Sequence, residues 1–398
     1  MNLYNYISKT FLIMSISMLC SFFITILLAK KMDYESFGLF SLVKTVLPLL
    51  STIALLGFDK AYIRQYANKK VENISYYLFL FLFLFSLLIS FFFTYLYGIT
   101  QFYFIILIGT IFGAINLFLT SHFRLVNKYT LAQFILSGHK IIFFVFIGLY
   151  FYYDFPITDS LSIYMLCLSI LIPSIFYYSY HNNVSKNSNL ISYTNFLNLY
   201  KNGFPFFILN YLNQIILTID KWTIPLIFGN QILGIYSALG LIHITTFNLF
   251  SSAIGYVIFA EFSKRNNLNL KENIIYIFPI ALILFIGFII FGDYMNSLIY
   301  NQKYKTWQNT QVNFYFTIFG LLHFSNAISH WIILSKGSKK LLSTYSKYML
   351  FQIIIIISAI YLFSFMISSN IEHILILIIT ITSLKLLLNI YIFNKLSG

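Results

Sequence analysis

The chain has 398 residues, of which 59% are hydrophobic, 20% aromatic and only 9% charged, and it carries a formal net charge of +14. Soluble domains carry about 25% charged residues, so this composition excludes a water-soluble globular domain and places the chain in a bilayer. Long apolar runs and a mean hydropathy of +0.82 imply spanning helices, which close their own backbone hydrogen bonds, and not the roughly ten-residue alternating segments of a β-barrel.

At about 20 residues per span, the sequence predicts twelve helices, at 9–29, 36–58, 74–97, 101–123, 131–153, 160–180, 204–228, 233–258, 273–292, 309–334, 345–367 and 371–393. The first apolar run, 11–28, has no small-residue cleavage site and continues into Ala29-Lys30-Lys31, so it is expected to be a span and not a removable signal. Cys20 and Cys167 lie inside apolar runs, which argues against a structural disulfide or a metal site. Only residues 181–200, rich in Asn and Ser, resemble a linker. They divide the chain into an N-terminal six-helix bundle, 1–180, a cytoplasmic linker and a C-terminal six-helix bundle, 201–398.

Positive charge sets the expected orientation. One set of loops holds most of the Lys and Arg, including Lys60, Arg64, Lys69 and Lys70 in one loop and Lys336, Lys339, Lys340 and Lys347 in another; the opposite loops hold only Lys30, Lys31, Lys303 and Lys305. By the positive-inside rule both termini are cytoplasmic. The same placement explains the basic excess as membrane topology, so no nucleic-acid partner is expected.

The chain also repeats itself. Gly234-Ile235-Tyr236-Ser237, after the Gly229-Asn230-Gln231 turn, matches Gly38-Leu39-Phe40-Ser41, an offset of 196 between positions 38 and 234. An even number of spans per half makes these parallel repeats about an axis along the membrane normal, suited to alternating access around a central cavity. Pro48, Pro173, Pro205, Pro225 and Pro279 lie within or at the ends of spans, where kinks are tolerated.

The candidates for chemistry are charges inside the spans. Lys44 lies about 12 Å along span 2 at 1.5 Å per residue, and Lys140 is similarly deep in span 5 beside His139. Both are expected to face a cavity. Asp220-Lys221 falls in span 7; as sequence neighbours they point about 100° apart, so at least one needs a partner on another helix or in a substrate. Lys385 in span 12, and to a lesser degree Lys221, fit a snorkelling side chain. Four lysines against one aspartate leave the membrane interior near +3, which favours an anionic cargo such as a phosphate or pyrophosphate and disfavours cationic drugs. His243, His323 and His330 lie in spans 8 and 10. A lone His in a bundle is ordinarily a packing residue; His139, His243 and His323 are the candidates for coupling. Asp59, Arg64 and Glu261, where spans 2 and 8 reach the cytoplasm, form interfacial ion pairs or a gate. Tyr at helix ends anchors the interface, and the Phe-rich run 79–93 faces lipid. The sequence has no Gly-rich phosphate loop, no metal-spaced His/Cys cluster and no Ser-His-Asp set, so neither metal nor cofactor is expected.

The repeated segments carry a resemblance. Leu28-Ala29-Lys30, Glu35-Ser36-Phe37-Gly38-Leu39-Phe40-Ser41 and Leu56-Gly57-Phe58-Asp59 with the basic tail through Arg64 resemble the amino-terminal signature of the polysaccharide-biosynthesis flippases. These Wzx-like O-antigen transporters belong to the multidrug/oligosaccharidyl-lipid/polysaccharide (MOP) exporter superfamily. The second half matches at Gly203-Phe204-Pro205, Asp220-Lys221, Gly234-Ile235-Tyr236-Ser237 and 261–265. The family commonly has Asp-Arg where this chain has Asp220-Lys221, so a role needing a two-pronged guanidinium does not transfer.

The resemblance implies a MATE-like pair of six-helix bundles in the bacterial inner membrane. It implies movement of an undecaprenyl-diphosphate-linked oligosaccharide to the outer leaflet, with no enzymatic step. Coupling to H+ or Na+ and association with other polysaccharide-assembly membrane proteins are implied as well. Lys44, Lys140, Asp220 and Lys221 are then the substrate-binding set. One rival is a multi-span glycosyltransferase or O-antigen polymerase, for which Asp33-Tyr34-Glu35 could mimic an acidic metal motif. The longest external connection, 293–308, is short for such an enzyme. A drug or cation antiporter of the same superfamily is the second rival, and few buried acids speak for it.

Overall fold

The computed structural model describes residues 3–66, 76–181, 192–264, 270–300, 303–336, 339–364 and 370–397. These residues are almost all helical, joined by short turns, without a strand. In chain order the helices are α1 (Leu3–Lys31), α2 (Tyr34–Leu55), α3 (Phe58–Tyr66), α4 (Tyr76–Leu96), α5 (Tyr103–Leu125) and α6 (Tyr129–Tyr152). They continue with α7 (Asp159–His181), α8 (Tyr193–Lys264), α9 (Leu270–Tyr300), α10 (Thr310–Lys336), α11 (Lys339–Ser364) and α12 (Ile371–Ser397). Short 3₁₀ turns at Thr100–Phe102 and Lys305–Trp307 precede α5 and α10. Among the described residues, ten helical stretches are long and apolar enough to cross a membrane. One of them, Phe207–Ser252, has 46 residues, and Asp159–Ile175 is a shorter apolar helix.

α4 shows why this is a membrane protein and not an unusually greasy soluble one. Its Phe79, Phe83, Leu84, Leu88, Phe91 and Phe92 are exposed, while Ser86, Ser90 and Thr94 are buried. Ser90 Oγ donates to Thr110 Oγ1 on α5 at 3.3 Å. Apolar side chains outward and small polar ones inward is the packing expected where the solvent is lipid.

The predicted span 36–58 ends earlier, at Leu55. Leu56 and Gly57 take positive φ, 46° and 78°, and the chain restarts as the amphipathic α3. The apolar Phe58 had concealed this turn. Phe58, Ala61, Tyr62 and Tyr66 form α3's buried stripe, at the 3–4 residue spacing of one helix face.

α8 is not one span either. At Gly229 the backbone takes φ 82°, ψ 169° and separates two helices, 193–228 and 230–264. A side chain disfavours such a backbone, so the predicted turn falls where glycine permits it. Residues 193–200, expected as linker, already belong to α8, and 182–191 lie outside the described residues.

The chain divides into two compact units, Met1–Met32 with Leu39–Tyr211, and Asp33–Gly38 with Leu212–Gly398. In the first unit, the Phe58 ring packs on Phe118 of α5 and on Phe196 and Tyr200 of α8, at 5.5–5.8 Å. Gly57 and Gly203 lie backbone to backbone, each where a Cβ on the other would meet its carbonyl. This clasp joins the start of α8 to the end of α2. Asn116 of α5 holds α7 in the turn interrupted by Pro173, donating to Ile170 O at 2.7 Å and accepting from Ser174 Oγ at 2.7 Å.

In the second unit, polar side chains join α10 to α12. Asn326 donates to Thr382 O at 3.0 Å, and Asn389 donates to Asn326 Oδ1 at 3.0 Å. Tyr345 of α11 donates to Asn389 Oδ1 at 2.7 Å. Its single proton being used there, the 3.2 Å contact to His330 Nδ1 must be donated by the imidazole.

The first turn of α2 also lies in this unit, through the repeated glycines. A Cβ at Gly38 would meet Asn230 O and Gly234 N, and one at Gly234 would meet Tyr34 O and Gly38 N. Tyr34 and Asn230 are themselves 196 apart, so the contact is reciprocal, residue for residue, like an isologous interface. Tyr34 O–H donates to Lys303 O at 2.5 Å, and the Lys303 ammonium stands 5.4 Å from the Tyr34 and Tyr304 rings.

Candidate functional site

Each unit contains its own cluster of cations. In the first, Lys44 of α2 is half-buried and donates to Thr25 Oγ1 of α1 at 2.5 Å. Thr25 passes its own proton back to Ser21 O, which leaves a hydroxyl lone pair for the ammonium. Lys44 also stands 6.0 Å from the Phe40 ring, and Phe40 stacks on Phe143 of α6 at 5.8 Å. His139 and Lys140 on α6 are half-buried, and the charges of Lys44 and Lys140 both act on His139. The structure thus brings Lys44 of α2 together with His139 and Lys140 of α6, beside Thr25 of α1.

In the second unit, Asp220 finds the partner its position demands. It is 3% exposed, and its Oδ2 accepts from Tyr236 O–H at 2.8 Å. The two residues are 16 apart; on a straight helix they would be about 24 Å apart. The bond therefore requires the helices on either side of Gly229 to fold back alongside each other. It also links two of the sequence motifs, Asp220-Lys221 and Gly234-Ile235-Tyr236-Ser237. Asp220, Thr223 and Ile378 line a cavity of about 20 Å³ between 193–228 and α12, large enough for one water.

Lys221 is half-buried beside Asp220. Lys385 has no exposed surface and donates to Asn213 Oδ1 at 2.6 Å. The snorkelling expected of Lys385 is corrected here: it lies on α12's buried stripe with Ile371, Ile374, Ile378, Ile381 and Asn389, and so points into the unit. That spacing, not depth along the span, was the available signal. His323 donates Nε2–H to Leu217 O at 3.1 Å, and both Lys221 and Lys385 act on its charge. Of the residues that hold these charges, Tyr236 lies in the repeated motif, whereas Thr25 and Asn213 carried no sequence signal of their own.

The other candidates are placed as follows. His243 is fully buried and donates to Asn313 Oδ1 at 2.6 Å, while Asn313 donates to Phe288 O at 3.2 Å; it ties three helices together. Asp59 opens α3 and pairs with Lys60 at 3.4 Å. The side chains of Arg64 and Glu261 lie outside the described residues. Asp33 is the N-cap of α2, accepting Ser36 N–H and Oγ–H, both at 2.8 Å. The Ser36 backbone N–H holds its carboxyl below the usual range. Asp33 is thereby accounted for as a cap, and among the described residues no His, Cys, Asp or Glu group could hold a metal ion.

Three solved structures share this arrangement of helices. An inward-facing multidrug resistance MATE family transporter of the MOP superfamily aligns with TM-score 0.66 at 15% identity, covering 96% of this chain and 94% of that one. A MOP superfamily transporter from Pyrococcus furiosus gives TM-score 0.62 at 14% identity, covering 98% and 95%. An outward-facing MATE family transporter gives 0.60 at 13%, also covering 98% and 95%. The fold is that of MOP superfamily transporters. A family model described as polysaccharide biosynthesis protein matches residues 5–265, and the chain belongs to that family. No curated protein sequence matches it.

Proposed function

We propose that the protein is a flippase for an undecaprenyl-diphosphate-linked oligosaccharide, an O-antigen repeat unit or a similar surface polysaccharide unit. It moves this lipid from the cytoplasmic to the outer leaflet of the bacterial inner membrane by alternating access, with both its own termini in the cytoplasm. Lys44, Lys140 and Lys221 attract the diphosphate, and Asp220, held by Tyr236, belongs to the same binding set. His139, His243, His323, Asp59, Arg64 and Glu261 are the groups through which H+ or Na+ coupling or gating would act.

The observation that carries this reading is the sign of the enclosed charge. Among the described residues Asp220 is the only buried carboxylate, with Asp293 half-buried on α9 and Asp59, Asp159 and Glu372 half-buried in the first turns of α3, α7 and α12; inside the spans stand the buried Lys385 and the half-buried Lys44, Lys140 and Lys221. An anion is stabilised by that balance and a cationic drug is not. The Pyrococcus furiosus neighbour has a binding pocket of reverse polarity that suggests a different function for it, and charge is likewise the variable invoked here. In cells lacking the protein, complete lipid-linked oligosaccharide should accumulate on the inner leaflet. Accumulation of a truncated oligosaccharide would instead support a glycosyltransferase.

A further inference from the structure

Lys385 is the most enclosed charge in the described chain. Its ammonium has one neutral acceptor, Asn213 Oδ1, and the remaining N–H groups have no acceptor among the described residues. His323 and His330 of α10 both feel its charge, and Lys221 of α8 acts on the same His323. Asp220 does not neutralise it, being bonded to Tyr236 and adjacent to Lys221. His323, 7% exposed, has already committed Nε2–H to Leu217 O, and its Nδ1 is buried without a partner. A buried ammonium held only by a neutral amide lacks the compensation that keeps such charges inside proteins. Unused hydrogen-bonding capacity of Lys385 and His323 thus meets the Lys221 charge within one unit, between the first helix of α8, α10 and α12.

We propose that Lys385, with Lys221 and His323, forms a subsite for one phosphate group, which Asn213 occupies as a neutral placeholder when no anion is bound. An arriving phosphate supplies the acceptors Lys385 lacks, and His323 gains a partner by taking a proton on Nδ1 and donating it to the same anion. The subsite rests on the reading that the cargo carries a diphosphate. A free anion has the same chemistry.

The test is binding to the full chain in nanodiscs, with undecaprenyl diphosphate, undecaprenol and inorganic pyrophosphate as separate probes. Wild type should prefer the diphosphate lipid to undecaprenol, and Lys385→Gln should weaken diphosphate binding about tenfold or more while leaving undecaprenol unchanged. Lys385→Arg should retain the preference. Asn213→Ala, which frees the ammonium but keeps its charge, should bind at least as tightly as wild type. Lys385-dependent binding of pyrophosphate alone would support a free-anion source, and of the lipid alone a headgroup source. A Lys385→Gln protein that binds the diphosphate lipid like wild type overturns the subsite. So does an Asn213→Ala protein as weak as Lys385→Gln, because the pair would then be a structural link. A wild type without preference for the diphosphate overturns the cargo reading itself.

Discussion

Asp220 keeps a carboxylate inside the membrane because one hydroxyl is aimed at it. Removing a donor from a buried charged acceptor costs about 1–3 kcal/mol, so Tyr236→Phe should lower stability by that amount, measured by thermal unfolding in detergent; unchanged stability would show the bond to be dispensable. Asp33 gives a pH prediction of opposite character. Its folded pKa is depressed, so its contribution is present above the unfolded value and is lost as pH falls through the folded one. The stability gap between wild type and Asp33→Ala, about 1 kcal/mol for a cap and read as a difference in melting temperature, should stay constant from pH 8 to pH 5. It should close only below about pH 4. That Asp220 required a partner was legible in the sequence, since a sequence neighbour cannot serve. Which partner was not, because Tyr236 reaches it only through the fold-back at Gly229. Lys385 was misjudged for a related reason: position along a helix gives depth, but the direction a side chain points depends on what the helix packs against.

At the scale of elements, the repeated glycines decide how closely helices approach. Gly38 and Gly234 each occupy space that a Cβ on the other would need from backbone atoms, which unlike a flexible side chain cannot yield cheaply. Gly38→Ala and Gly234→Ala should each cost about 1–3 kcal/mol. Because both force the same two helices apart, the double variant should cost clearly less than the sum, as read from unfolding of all four proteins. Additive losses would mean that the glycines act separately. The repeat itself was visible as a motif at a fixed offset; that the two copies touch was not, because contact between copies depends on a two-fold relation that no single strand of sequence displays. The α2 boundary was missed because Phe58, apolar enough to extend a span, instead begins the buried face of α3, and the break rests on the positive φ of Leu56 and Gly57.

At the scale of the whole molecule, composition alone specified a helical membrane protein, and the lipid-facing phenylalanines of α4 with its buried serines are the physical expression of it. The repeat offset does not pair the buried cations: Lys44 corresponds to Gly240, so each unit has evolved its own cluster on different helices. The most direct measurement is translocation of undecaprenyl-diphosphate-linked oligosaccharide in proteoliposomes. Wild type is compared with a variant in which Lys44, Lys140 and Lys221 are replaced by glutamine, both verified as folded. Wild type should move the lipid and the variant should lose at least about tenfold in rate; equal rates in the two would contradict the claim that these cations receive the cargo.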